Sequence, residues 1–208
     1  MELTTFDFEA NYHTTWIDGP RDGPAVYKFQ RPTVHTDQTD LVLQTPTKST
    51  MIEVRPQGRQ PWIGVFENGP EGLHGIFATP DSETVCVVAT GQGYWVPVVA
   101  PENFAVLPLI PIKRVMSIPE RKVLIFHDYT KLAAYGLGGI RWLTKDLSWD
   151  GLEITDVTSE KICGKSWDAP SGRHVPFSVE VETGASQGGS SPAMYGVDDS
   201  KGASVRSH

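Results

Sequence analysis

The chain has 208 residues, 39% of them hydrophobic, with 18 Lys and Arg against 25 Asp and Glu for a formal charge of -7. That length supports one sizeable core and leaves little room for two full domains. The acidic balance argues against a protein whose main work is neutralising phosphates, and no nucleic-acid partner is expected. The densest cationic cluster, Lys113-Arg114 with Arg121-Lys122, reads as solvated strand ends.

From the N-terminus, "MELTTFDFEANYH" carries acidic residues where a secretion signal needs basic ones ahead of an apolar run, so a cytoplasmic location is expected. Residues 1–24 mix apolar anchors with breakers and are expected to lie ordered against the domain. Short runs of β-branched, aromatic and aliphatic residues then follow, separated by Gly, Pro, Asn and Asp. Strands are predicted at 25–30, 40–45, 50–55, 61–68, 72–79, 84–90 and 93–99. The stretch Phe104 to Ile112 is the most apolar, but it is far shorter than a membrane span and is broken by Pro108 and Pro111, so no membrane partner is expected. Further strands are predicted at 111–118, 122–128, 131–136, 140–147, 152–158, 160–167 and 175–182. In the last of these Val175, Phe177, Val179 and Val181 alternate with Pro176, Ser178, Glu180 and Glu182, giving one buried and one wet face. One short helix candidate, "DYTKLAAYG" at 128–136, competes with the strand prediction there. Cys86 and Cys163 each sit in a strand-like run and read as core residues rather than as a disulfide framework.

The segments 77–96 and 115–135 share a small-Pro-acid turn, a four-residue apolar strand, a polar interruption and a second strand with an aromatic near its end. Their prolines, Pro80 and Pro119, are 39 positions apart. That period and pattern resemble blades of propeller families. The chain has room for four blades at most, so the expected fold class is all-β with antiparallel sheets, either a β-sandwich or a propeller-blade-like meander.

The tripeptide Ser-Trp-Asp occurs twice, at 148–150 and 166–168. WD-repeat blades space their Trp-Asp pairs by about 40 residues and pair them with Gly-His, neither of which holds here. Instead, each unit is expected to end a strand. Asp150-Gly151 reads as a two-residue hairpin and Asp168 to Gly172 as a longer turn, within one antiparallel sheet of strands 140–147, 152–158, 160–167 and 175–182. Asp150 and Asp168 would cap these turns while Trp149 and Trp167 cover the end of the core. The functional alternative groups Trp142, Trp149, Asp150, Trp167 and Asp168 as a binding platform, able to stack on a sugar ring or clamp a peptide.

The histidines include no pair at metal-ligand spacing, so no metal and no cofactor are expected, and no nucleophile elbow, phosphate loop or dinucleotide fingerprint is present. The best catalytic candidate is His127-Asp128, although neighbours on a strand point to opposite faces. From Thr183 onward the chain is rich in Gly and Ser and reads as a flexible tail, with "PAMYGV" at 192–197 as a short sticky segment. The expectation is one all-β domain over 1–182 with a disordered tail over 183–208. It would act as a non-catalytic binding or protein-interaction module for a protein or small polar ligand. The competing expectations are a small hydrolase or lyase built on His127 and Asp128, and a carbohydrate-binding module using the tryptophans.

Overall fold

The computed structural model describes residues 2–19, 21–31 and 48–195. Its strands fall into four sheets that follow one another along the chain. A short strand β1 (Leu3–Thr4) comes first and belongs to the second sheet. The first sheet holds β2 (Tyr12–Trp16), β3 (Ala25–Phe29), β4 (Ser49–Pro56) and β5 (Trp62–Glu67) in the order β2-β4-β5-β3, with β3 parallel to β5. The second holds β6 (Gly75–Ala78), β7 (Thr84–Ala89), β8 (Gln92–Pro97) and β9 (Ala105–Val106), extended at its β6 edge by β1, parallel to β6. The third is the antiparallel meander β10 (Arg114–Ile118), β11 (Val123–His127), β12 (Leu132–Gly136) and β13 (Gly139–Leu143). The fourth is the meander β14 (Leu152–Val157), β15 (Lys161–Asp168), β16 (Arg173–Glu180) and β17 (Ser186–Gly188). The described residues contain three short 3₁₀ turns and no α-helix.

Three apolar layers alternate with the four sheets. Phe29, Ile52 and Phe66 of the first sheet meet Val85, Val87 and Tyr94 of the second. Cys86, Val88 and Trp95 on the opposite face of the second meet Leu124, Phe126 and Tyr135 of the third. Val123, Ile125 and Trp142 of the third meet Ile162, Phe177 and Val179 of the fourth. The two middle sheets are therefore covered on both faces, which explains why β7 and β11 read as unbroken apolar runs, "TVCVVA" and "VLIFH", with every residue buried. The fourth sheet has one covered face, and β15 and β16 alternate accordingly. The two segments that resemble each other in sequence are equivalent parts of successive sheets, β6–β7–β8 and β10–β11–β12.

Several expectations are corrected. The stretch "DYTKLAAYG" forms a turn and then β12, because Leu132, Ala133, Ala134 and Tyr135 are all buried between sheets and pair with β11. Asp150-Gly151 is not a hairpin: β13 closes the third sheet and β14 opens the fourth, so this stretch is the crossing between two sheets. The chain also does not leave the fold at Thr183. Strand β17 pairs with β16, and Ser190 and Ser191 are buried. Gly184, at φ +72°, lies so close to the Trp142 indole that a Cβ there would stand 2.7 Å from the ring. The strand predicted at 40–45 and the end of "PAMYGV" lie outside the described residues.

Candidate functional site

Of the tryptophans expected to form one platform, Trp142 is directed into an apolar layer, whereas Trp149 and Trp167 meet through their backbones and turn their rings to different partners. Trp142 points into the layer between the third and fourth sheets, 8% exposed, and its indole N–H donates to the carbonyl of Val181 at 2.8 Å. Trp149 is half-buried and donates through Nε1 to Ser190 Oγ at 3.1 Å. Trp167 pairs in register with His174 on the outer face of the fourth sheet, with the two rings edge-to-face at 5.2 Å. It belongs to none of the three apolar layers, which corrects the expectation that it closes the core. Asp150 is exposed, whereas Asp168 is buried and accepts from Ser190 Oγ at 2.6 Å and from Ser171 Oγ.

The repeated tripeptide is thus a device for holding backbone. Ser148 donates to the carbonyl of Gly151 at 2.7 Å and accepts from the backbone N–H of Trp167 at 2.9 Å. Trp149 N–H in turn donates to the carbonyl of Trp167 at 3.2 Å. These bonds pin the crossing between the third and fourth sheets to the end of β15.

His127 and Asp128 do not form a dyad. His127 is 7% exposed, and its Nδ1 lies 2.9 Å from the Asp128 carbonyl oxygen, which only accepts and so keeps the proton on Nδ1. Burial lowers its pKa below the usual imidazole value, partly opposed by that carbonyl. The Asp128 carboxylate caps its own turn, accepting from the backbone N–H groups of Thr130 and Lys131 at 2.7 Å each. Two members of the cationic cluster, Lys113 and Arg121, are likewise engaged within the fold. Lys113 Nζ donates to Tyr129 Oη at 2.9 Å, Tyr129 donates to Glu71 at 2.6 Å, and Arg121 donates to the Ser159 carbonyl at 2.8 Å. The Tyr129 hydroxyl and the Lys113 charge hold the Glu71 carboxyl below the usual glutamate range.

A groove of about 760 Å³ runs between the outer edges of the second and third sheets. It lies between the two-residue strand β9 with its flanking loops on one side and the β12–β13 hairpin on the other. Trp95 and Tyr135, with ring centroids 5.0 Å apart, make the floor. Ile140, opposite Tyr135 in the ladder and therefore on the same face, is 51% exposed. Leu137 in the hairpin turn is 55% exposed, and Val99 on the other side is 39% exposed. Asp81 and Glu83 also line the groove, and no Lys, Arg or His does so. The sequence signal for this groove is Leu137 and Ile140 flanking two glycines, where a solvated turn carries polar residues. A second cleft of about 640 Å³, walled by Tyr27, Trp62 and prolines 24 and 61, meets the first at Val99.

Among the described residues no group of three or more His, Cys, Asp or Glu is placed to hold a metal ion, and no helix is long and apolar enough to cross a membrane. No family model matches the chain, and no curated protein matches it in sequence.

Proposed function

We propose that the protein is a non-catalytic binding module that holds an extended peptide segment of a partner protein in the groove between its second and third sheets. The observation that carries this reading is the groove itself, an aromatic floor of Trp95 and Tyr135 flanked by the exposed side chains of Leu137, Ile140 and Val99. Clefts of several hundred Å³ with apolar walls and a few polar groups are the usual form of a binding site. Exposed apolar side chains gathered beside a sheet edge suit an extended peptide better than a compact solute.

Architecturally we read the stack as propeller-like rather than as a sandwich. A sandwich has one apolar layer between two sheets, whereas three layers between four consecutive sheets support a blade-like arrangement. The free thiols of Cys86 and Cys163 support a reducing, cytoplasmic compartment.

Panning a displayed library of random extended peptides against the full chain tests the reading. Enriched peptides should lose binding to the Leu137→Asp and Ile140→Asp variants while the melting temperature stays within a few degrees, as is usual for surface substitutions. A library that yields no enrichment, or binders indifferent to both substitutions, refutes it.

A further inference from the structure

The N-terminal arm covers a buried strand. All four residues of β6 are buried, and β1 closes the sheet on that side, with Leu3 opposite Ile76 and Thr4 opposite Phe77. Left uncovered, such an edge pairs with an extended segment that reaches it. The arm itself is lightly held, because its ladder is two residues long. Leu3 packs against the first apolar layer, and Phe6 and Phe8 against the second. All three stay half-buried, while Glu2, Thr4, Thr5 and Asp7 are exposed. Phe6 lies flat on Phe77, with ring centroids 5.7 Å apart and planes at 8°.

The chain then turns back over residues 5–8, where the Phe8 N–H donates to the Thr5 carbonyl at 2.9 Å. The two central residues, Phe6 at φ +51° and Asp7 at φ +67°, both lie in the left-handed region. Positive φ at both central positions is the mark of a type I′ turn, which Asn-Gly adopts readily and a bulky phenylalanine does not. Past the turn the chain is fastened again at Asn11, whose backbone N–H donates to the Ser82 carbonyl at 2.9 Å and whose Nδ2 donates to Ser82 Oγ at 3.0 Å. The strain therefore sits in a short hinge between two anchored points, an arrangement that invites exchange of a terminal element between copies.

We propose that two copies of the chain exchange these arms, each laying its β1 beside β6 of the other. The contacts of β1 with β6 recur across the pair, so the closed and exchanged forms differ chiefly in the hinge. Exchange frees Phe6 and Asp7 to return to negative φ, which favours the dimer. Against it stands the high local concentration of a tethered arm, so the balance depends on protein concentration. The hinge, residues 5–10, spans at most about 20 Å when extended, so the partner's β6 lies within that reach of Asn11.

Light scattering coupled to size exclusion, run on the full chain over a concentration series, reads the dimer. The parent chain should show a species of twice the monomer mass that grows with concentration. Asp7→Pro, whose ring forbids positive φ, should raise the dimer association constant by about tenfold or more, and Asp7→Gly, at ease at positive φ, should lower it. Removing residues 2–8 should abolish the dimer. Leu3→Asp, which keeps the arm but strips its apolar anchor, should do the same and serves if the shortened chain does not fold. Three results overturn the inference: Asp7→Pro monomeric at every concentration, equal dimer fractions in Asp7→Gly and Asp7→Pro, or a dimer that persists without the arm or its anchor.

Discussion

The hydroxyl of Ser190 donates to Asp168 Oδ1 at 2.6 Å while accepting from the indole N–H of Trp149 at 3.1 Å. Ser190 lies beyond the point where the composition turns Gly- and Ser-rich, and its own backbone N–H donates to the Leu147 carbonyl at 2.8 Å. A buried carboxylate, a serine and an indole thus tie the segment after β17 to the crossing between the last two sheets.

Breaking that tie should destabilise the fold. Asp168→Ala leaves the buried Ser190 hydroxyl without this acceptor, and a loss of about 1–3 kcal/mol is expected in urea unfolding, with Ser190→Ala costing less. A chain ending at Glu182 should melt lower than the full chain, because it lacks β17, the Gly184 contact to Trp142 and the Ser190 bonds. An unchanged melting temperature for that shortened chain would show that the segment adds nothing.

The tryptophans should separate by environment. Trp142→Ala deletes a large side chain from the third apolar layer and should cost about 3–5 kcal/mol. Trp167→Ala, on the outer face, should cost only about 1 kcal/mol, the scale of an aromatic pair with His174. Two phenylalanine substitutions refine the comparison. Trp142→Phe orphans the Val181 carbonyl, whereas Trp16 has a buried Nε1 with no hydrogen-bond partner among the described residues, so Trp16→Phe removes no bond among them. The first should be the more destabilising in parallel urea titrations.

Acid should weaken the fold partly through His127. Its folded pKa is lowered from the ordinary 6.5 by burial and by the nearby Arg114 charge. Between 6.5 and that lower value the unfolded chain binds more protons than the folded one. Stability from keeping this imidazole neutral is therefore complete above that range and lost as pH falls through it. His74, packed 4.7 Å from Trp16, is shifted the same way by burial. Unfolding free energies measured from pH 7.5 down to about 5 should fall less steeply in His127→Gln than in the parent chain. Parallel curves would contradict this assignment.

The thiols should react unequally. Cys86 is fully buried between the second and third sheets, and burial raises its pKa, whereas Cys163 is half-buried on the outer face of β15. A disulfide-exchange reagent should modify one thiol per native chain and both in denaturant, with Cys163→Ser abolishing the native reaction. Two native equivalents would mean that the middle layers open readily.

The all-β class and most strand positions were legible in the sequence, because strand burial writes itself locally. A strand covered on both faces is an unbroken apolar run, as in β7 and β11, and one covered on a single face alternates, as in β15 and β16. What no local pattern encodes is the sheet that a strand joins. Asp150-Gly151 has hairpin chemistry, yet β13 and β14 part company there because their partners, β12 and β15, stand in different sheets. The same limit hid the fate of the tryptophans, whose identical Ser-Trp-Asp settings send Trp149 toward Ser190 and Trp167 to the outer face. It also hid the order beyond Thr183, where glycine and serine serve close packing against Trp142 and Asp168 rather than flexibility. The groove is a product of tertiary structure alone. Its walls come from β9 in one sheet and the β12–β13 hairpin in the next, about thirty positions apart in the chain.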